Sequence, residues 1–128
     1  MKIKTSNTIL YCKKWEETVA FYGEVLRLEV HFSNEWFVEF WLNAGARLSV
    51  ANQERASIKS GEGRGITIGF QVEDLQTIHT QLLGAGCHPT PIKVRWKSKV
   101  FYIHDPEGNR LEFWSSSEPV SDTKLQDR

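Results

Sequence analysis

The side chains able to do chemistry sit in a few short stretches. Glu39 lies within Glu35-Trp36-Phe37-Val38-Glu39-Phe40-Trp41-Leu42, and Glu112 within Arg110-Leu111-Glu112-Phe113-Trp114. A carboxylate among large apolar residues must pair with a donor, or it keeps a raised pKa that suits ligand recognition or general-base work. For Glu112 the candidate donors are Arg47, Arg110 and Gln71, and the functional readings are capture of a cationic or hydrogen-bond-donating ligand, or acid/base catalysis. Arg47 and Arg110 can also clamp an anion, or carry their charge out to water. Tyr11, Trp36, Trp41, Trp96, Tyr102 and Trp114 are rings fit to stack on a planar ligand or to fill a dimer seam. Of the four histidines, His31 falls at a strand end, His79 on a helix and His88 at a loop start, which leaves His104 as the one placed to approach a site. Cys12 and Cys87 lie in apolar surroundings without a Cys-x-x-Cys spacing, and read as buried, reduced thiols.

Positioning these groups requires strands. Residues 5–12 are β-rich, and Trp15, Val19, Tyr22 and Val25/Leu26 recur every three or four residues, which predicts one amphipathic helix over 15–26. Short strands follow at 30–32, 36–42 and 47–50, separated by Ser33-Asn34-Glu35 and Asn43-Ala44-Gly45 turns. Residues 51–64 are polar, glycine-rich and without period, as in a linker or loop. The pattern then restarts with a strand over 66–72, a helix capped by Asp74 that carries Leu75, Ile78 and Leu82, and strands near 89–95, 99–104 and 109–114. The polar tail from Ser115 is expected to fray.

The order β-α-β-β-β thus occurs twice, over residues 3–50 and 65–114, within one domain spanning 1–128. Part of the repeat is visible in the letters: Gly45-Ala46-Arg47-Leu48-Ser49-Val50 lines up with Gly108-Asn109-Arg110-Leu111-Glu112-Phe113. One helix covers one face of such a half-sheet, so the other face is left for something else. Alternation places Asn7, Ile9 and Tyr11, Arg47 and Ser49, Thr67, Gly69 and Gln71, and Arg110, Glu112 and Trp114 on that second face. The fold class is therefore α+β: two tandem modules forming a curved, trough-like mixed sheet with helices outside.

Composition narrows the partners. In 128 residues, Lys+Arg 16 balances Asp+Glu 16, so no charge excess points to nucleic acid or an anionic membrane. The amino-terminal apolar run is shorter than a signal-peptide core and no window approaches a membrane span, so the chain reads as cytoplasmic. Five Trp and seven Phe exceed what so small a core needs, which points to a small planar or aromatic ligand and a homodimer.

The stretch Trp15–Leu26, with Ala20-Phe21-Tyr22 followed by Leu26, and the stretch Phe101–Glu112, with Asp105-Pro106-Glu107-Gly108-Asn109 before Arg110-Leu111-Glu112, resemble the glyoxalase, bleomycin-resistance and extradiol-dioxygenase proteins, the vicinal-oxygen-chelate superfamily. The resemblance implies paired βαβββ modules and, in metal-dependent members, a divalent ion held by His and Glu from the first and last strand of each half. In this chain those positions fall at Asn7, Ser49, Thr67 and Glu112. Three neutral oxygens and one carboxylate bind a dication weakly, so no resident cofactor is expected, with a divalent metal kept as the alternative. The leading expectation is a metal-free small-molecule-binding homodimer like the bleomycin-resistance branch, sequestering a planar antibiotic against rings, with Glu39 or Glu112 selecting charge. The alternative is a lyase, isomerase or dioxygenase acting on a small oxygen-rich substrate, with a metal or with Glu112, assisted by His104 or Tyr11, as acid/base.

Overall fold

The structure is a computed structural model that describes residues 1–116. The chain divides into two compact units: residues 1–64 together with Asp105–Gly108, and Gly65–His104 together with the segment from Asn109. Each contains one four-stranded mixed sheet, and together they give the βαβββ order twice.

In the first unit, β1 (Ser6–Cys12), β2 (Val30–Ser33), β3 (Phe37–Asn43) and β4 (Ala46–Asn52) are ordered β1-β4-β3-β2. β1 runs parallel to β4, while β3 is antiparallel to both β4 and β2. Helix α1 (Trp15–Ala20) packs on β1 and β4. Leu10, Cys12, Phe40, Leu48 and Val50 are buried on the helix side, as alternation requires. The helix expected to run unbroken to residue 26 instead widens after Ala20 into one π turn, Phe21–Val25, in which the Leu26 N–H donates to the Phe21 carbonyl. Two consecutive rings, Phe21 and Tyr22, are buried there, and the wider turn lets both point inward.

In the second unit, β5 (Thr67–Gln71), β6 (Lys93–Arg95), β7 (Ser98–His104) and β8 (Arg110–Ser116) are ordered β5-β8-β7-β6, again with a parallel first pair. Helix α2 (Leu75–Gly84) packs on β7 and β8, and Asp74 caps it as expected: its carboxylate accepts from the Thr77 N–H at 3.1 Å and from the Thr77 hydroxyl at 2.7 Å. These bonds lower the Asp74 pKa, the hydroxyl contributing most. The expected strand over 89–95 is only three residues long, because Pro89 and Pro91 cannot donate to a ladder. At the other end, β8 continues through Ser115, which is buried, to Ser116, where fraying was expected. The rest of that predicted tail lies outside the described residues.

The segment Asp105–Gly108 completes the first unit. Asp105 Oδ1 accepts the Glu107 N–H within the turn, while Oδ2 accepts the buried Tyr22 hydroxyl at 2.6 Å. Burial, followed by the Asp105 charge, pushes the Tyr22 phenol far up, and burial likewise pushes the Cys12 thiol up to about 12. Glu107 accepts from the backbone N–H groups of Lys13 and Lys14, each at 2.8 Å, and from the Ser60 hydroxyl. It thereby holds the entry to α1, where Lys14 makes no side-chain cap. Gly108 has φ +99°, and a Cβ there would lie 2.7 Å from the Glu62 carbonyl, so the turn requires glycine twice over.

Candidate functional site: the open sheet faces

The open face of the first sheet follows from its register. Asn7 pairs with Arg47 and Ile9 with Ser49, while Glu39 pairs with Ser49 and Trp41 with Arg47. All of these side chains point away from α1. The Arg47 guanidinium lies 3.6 Å over the Trp41 ring, with Nε 3.8 Å from the Glu39 carboxylate and Nη1 donating to the Asn43 carbonyl at 3.0 Å. The same carboxylate meets His31 Nδ1 at 2.6 Å, and the His31 ring stands edge-on to Trp41 at 5.1 Å. Phe32, Phe37 and Trp36 extend the aromatic surface, Phe37 lying 6.5 Å from Phe32 and 5.5 Å from Trp36.

His31 was not among the residues expected at a site. Val30 pairs with Phe40, but Phe32 pairs with Glu39, so β2 carries one extra residue there. That bulge puts His31 on the open face beside Glu39. The sequence signal is faint: Val30-His31-Phe32 alternates, but nothing in the letters marks the slip.

The second sheet presents Thr67, Gly69 and Gln71 from β5, aligned with Arg110, Glu112 and Trp114 of β8, and next to them His104, Tyr102 and Val100 of β7. Glu112 is 9% exposed, and its carboxylate accepts from the Tyr102 hydroxyl at 3.3 Å. That hydroxyl in turn accepts from Arg95 at 3.3 Å, and the Arg110 guanidinium covers the Tyr102 ring at 4.5 Å. Gln71 and His104 are exposed, and Trp114 is buried opposite Val100.

The candidate residues therefore collect into two clusters, Glu39-Trp41-Arg47 and Tyr102-Arg110-Glu112. Tyr11 is half-buried near the end of β1. Trp36 precedes β3 rather than standing on it, and its carbonyl accepts from the Asn52 N–H. Trp96 occupies the β6–β7 turn, largely exposed, with the Lys97 ammonium 4.2 Å from its ring.

Of the positions that the resemblance equates with metal ligands, Asn7 and Ser49 lie in the first unit and Thr67 and Glu112 in the second, and each pair by itself is poor in strong donors. Ser49 donates its hydroxyl proton to Asn7 Oδ1 at 2.8 Å, and Arg110 Nε donates to Thr67 Oγ1 at 2.9 Å. A guanidinium on one candidate oxygen repels a dication, and amide and hydroxyl oxygens do not offset the loss. Among the described residues, no three His, Cys, Asp or Glu side chains gather to hold an ion. No helix among them is long and apolar enough to cross a membrane.

The family profile described as Glyoxalase-like domain matches residues 5–118. No curated protein matches the sequence. Among solved structures, a glyoxalase/bleomycin resistance protein/dioxygenase from Nocardioides superposes with a TM-score of 0.76 at 17% identity, covering 98% of this chain and 91% of that one. TnmS3, an antibiotic-binding protein from Streptomyces sp. CB03234, gives 0.74 at 15% identity over 88% and 95%. A lactoylglutathione lyase from Agrobacterium tumefaciens gives 0.70 at 21% identity over 85% and 90%. At these identities the likeness establishes the fold, which many chemistries share.

Proposed function

The chain belongs to the glyoxalase-like domain family of the vicinal-oxygen-chelate superfamily, and from that premise we propose that it is a metal-free small-molecule-binding protein, acting as a homodimer on a planar, antibiotic-like ligand. The observation that carries this reading is the open face of the first sheet, where Phe32, Phe37 and Trp41 surround a polar cluster. Rings supply stacking area, and a few fixed polar groups supply orientation. The antibiotic-binding likeness of TnmS3 agrees with it. Glu39 serves here as an orienting group rather than as a selector of cations, since the Arg47 guanidinium lies against its charge and His31 Nδ1 meets it at hydrogen-bond distance. The exposed Val30 on edge strand β2, paired with Phe40 and so turned from the ring-bearing face, suits a contact with a second copy.

Titration with a panel of planar antibiotics and aromatic metabolites, read by Trp fluorescence, tests the reading. At least one compound quenches saturably, and no response from any compound contradicts it. Metal titration of protein purified without chelators provides the second arm, and tight binding of one equivalent contradicts the metal-free reading.

A catalytic reading has one observation in its favour: the nearly buried Glu112 carboxylate accepts from the Tyr102 hydroxyl, which itself accepts from Arg95. An enzyme that uses Glu112 as acid/base loses turnover in Glu112→Gln while retaining ligand binding.

A further inference from the structure

We infer that His31 is the proton acceptor of a phenol- or enol-binding site on the first sheet, oriented by Glu39 and bordered by Trp41 and Phe32. The inference rests on the small-molecule reading above and names the ligand class. Its first support is the hydrogen-bond arithmetic of the pair. An ionised carboxylate can only accept, so at 2.6 Å from Glu39 Oε2 the His31 Nδ1 carries the proton. In the neutral form of that tautomer the lone pair is on Nε2, which no described residue bonds. A carboxylate behind an imidazole fixes its tautomer and steadies the imidazolium once it forms.

The second support is the bulge in β2. An inserted residue on an edge strand re-aims a side chain, and here it turns an imidazole toward the face that carries the rings. The His31 side chain is 44% exposed and Phe32 is 51% exposed, so the nitrogen and an adjoining ring are reachable from solvent, whereas Glu39 is 20% exposed and lies behind. The charged groups that meet this imidazole are Glu39 from β3 and, across that carboxylate, Arg47 from β4.

These features define the ligand. Nε2 calls for a hydroxyl donor, and phenols and enols give up a proton more readily than alcohols because the anion left behind is delocalised. Phe32, exposed beside His31, takes the ring that bears it, with Trp41 at the border. In the step itself the ligand O–H bond breaks and the proton passes to Nε2. The bonding pair stays on oxygen as phenolate, and the imidazolium lies between that anion and Glu39.

The experiment uses para-nitrophenol, buffered below its own pKa, with the whole protein. Binding is followed by Trp quenching, and ionisation by the visible nitrophenolate band. The expected result is saturable quenching accompanied by growth of the band. The band is lost in His31→Asn, and in Glu39→Gln it is reduced several-fold while quenching persists, because a glutamine oxygen still accepts from Nδ1 but no longer steadies the cation. Quenching without the band, or a band that survives His31→Asn, overturns the inference. If other planar compounds quench and para-nitrophenol does not, the inference falls alone; if none quenches, the functional reading falls with it.

Discussion

The two modules share strand order, a parallel first pair and a single helix, yet different physics holds each of them together. Beneath the second sheet the contacts are rings: Phe70 on Phe113 at 5.4 Å, Phe113 stacked on Phe101 at 5.2 Å, and Phe101 met edge-on by His79 at 4.9 Å. Beneath the first, the buried groups include Thr18, Tyr22 and Asp105, with Cys12 beside them. The helix entries differ in the same way. Asp74 caps α2 from the adjoining residue, whereas α1 is held by Glu107, which lies 94 residues along the chain from Lys13. A duplicated pattern can keep its topology and its apolar core while one copy adds a buried network of fixed charges and hydrogen bonds.

The largest expected effect lies in the aromatic module. Phe101→Ala removes the ring that links Phe113 and His79, and should destabilise by about 4 kcal/mol in urea unfolding, nearly independently of pH in the acid range. Glu107→Ala comes next at about 3 kcal/mol, because two backbone donors and the Ser60 hydroxyl lose a charged acceptor. Its signature is pH dependence. Burial opposes ionisation of Glu107, but the bonds from Ser60, Lys13 and Lys14 outweigh it and hold the carboxyl below its ordinary value of 4.5. The stabilisation is therefore complete above the unfolded value and is lost as pH falls through the lower folded one. The unfolding midpoint of the parent should drop in acid, and Glu107→Gln should flatten that drop. Equal acid sensitivity in the two proteins would contradict the contrast between the modules.

Tyr22→Phe should cost about 2 kcal/mol, since Asp105 then loses a buried donor while the ring still packs. Asp74→Ala should cost less than Glu107→Ala, because its cap is exposed and water replaces the lost acceptor. A reversed order for that pair would show that the remote clamp does less than the local cap.

Much of the fold was legible because it rests on local chemistry. Alternation placed Asn7, Arg47, Ser49, Thr67 and Glu112 on the open faces, and Asp74 announced the start of α2. What escaped depended on partners distant in sequence. The Asp105–Gly108 segment reads as a turn, and as a turn it is correct, but no local signal shows that its two carboxylates serve Tyr22 and the entry to α1. The π turn follows from the demand to bury Phe21 and Tyr22 together. His31 reached the open face through a register slip between β2 and β3, which depends on both strands. Among the site candidates, the pairing of Arg47 with Trp41 and of Tyr102 with Glu112 follows from cross-strand register, which letters alone leave undetermined.

Trp quenching by planar aromatic compounds, compared between the parent and Trp41→Ala, locates the ligand on one sheet or excludes it there. The expected response is saturable, abolished in Trp41→Ala and retained in Trp96→Phe, changed in the β6–β7 turn. Undiminished saturable binding in Trp41→Ala would contradict a ligand site on the open face of the first sheet.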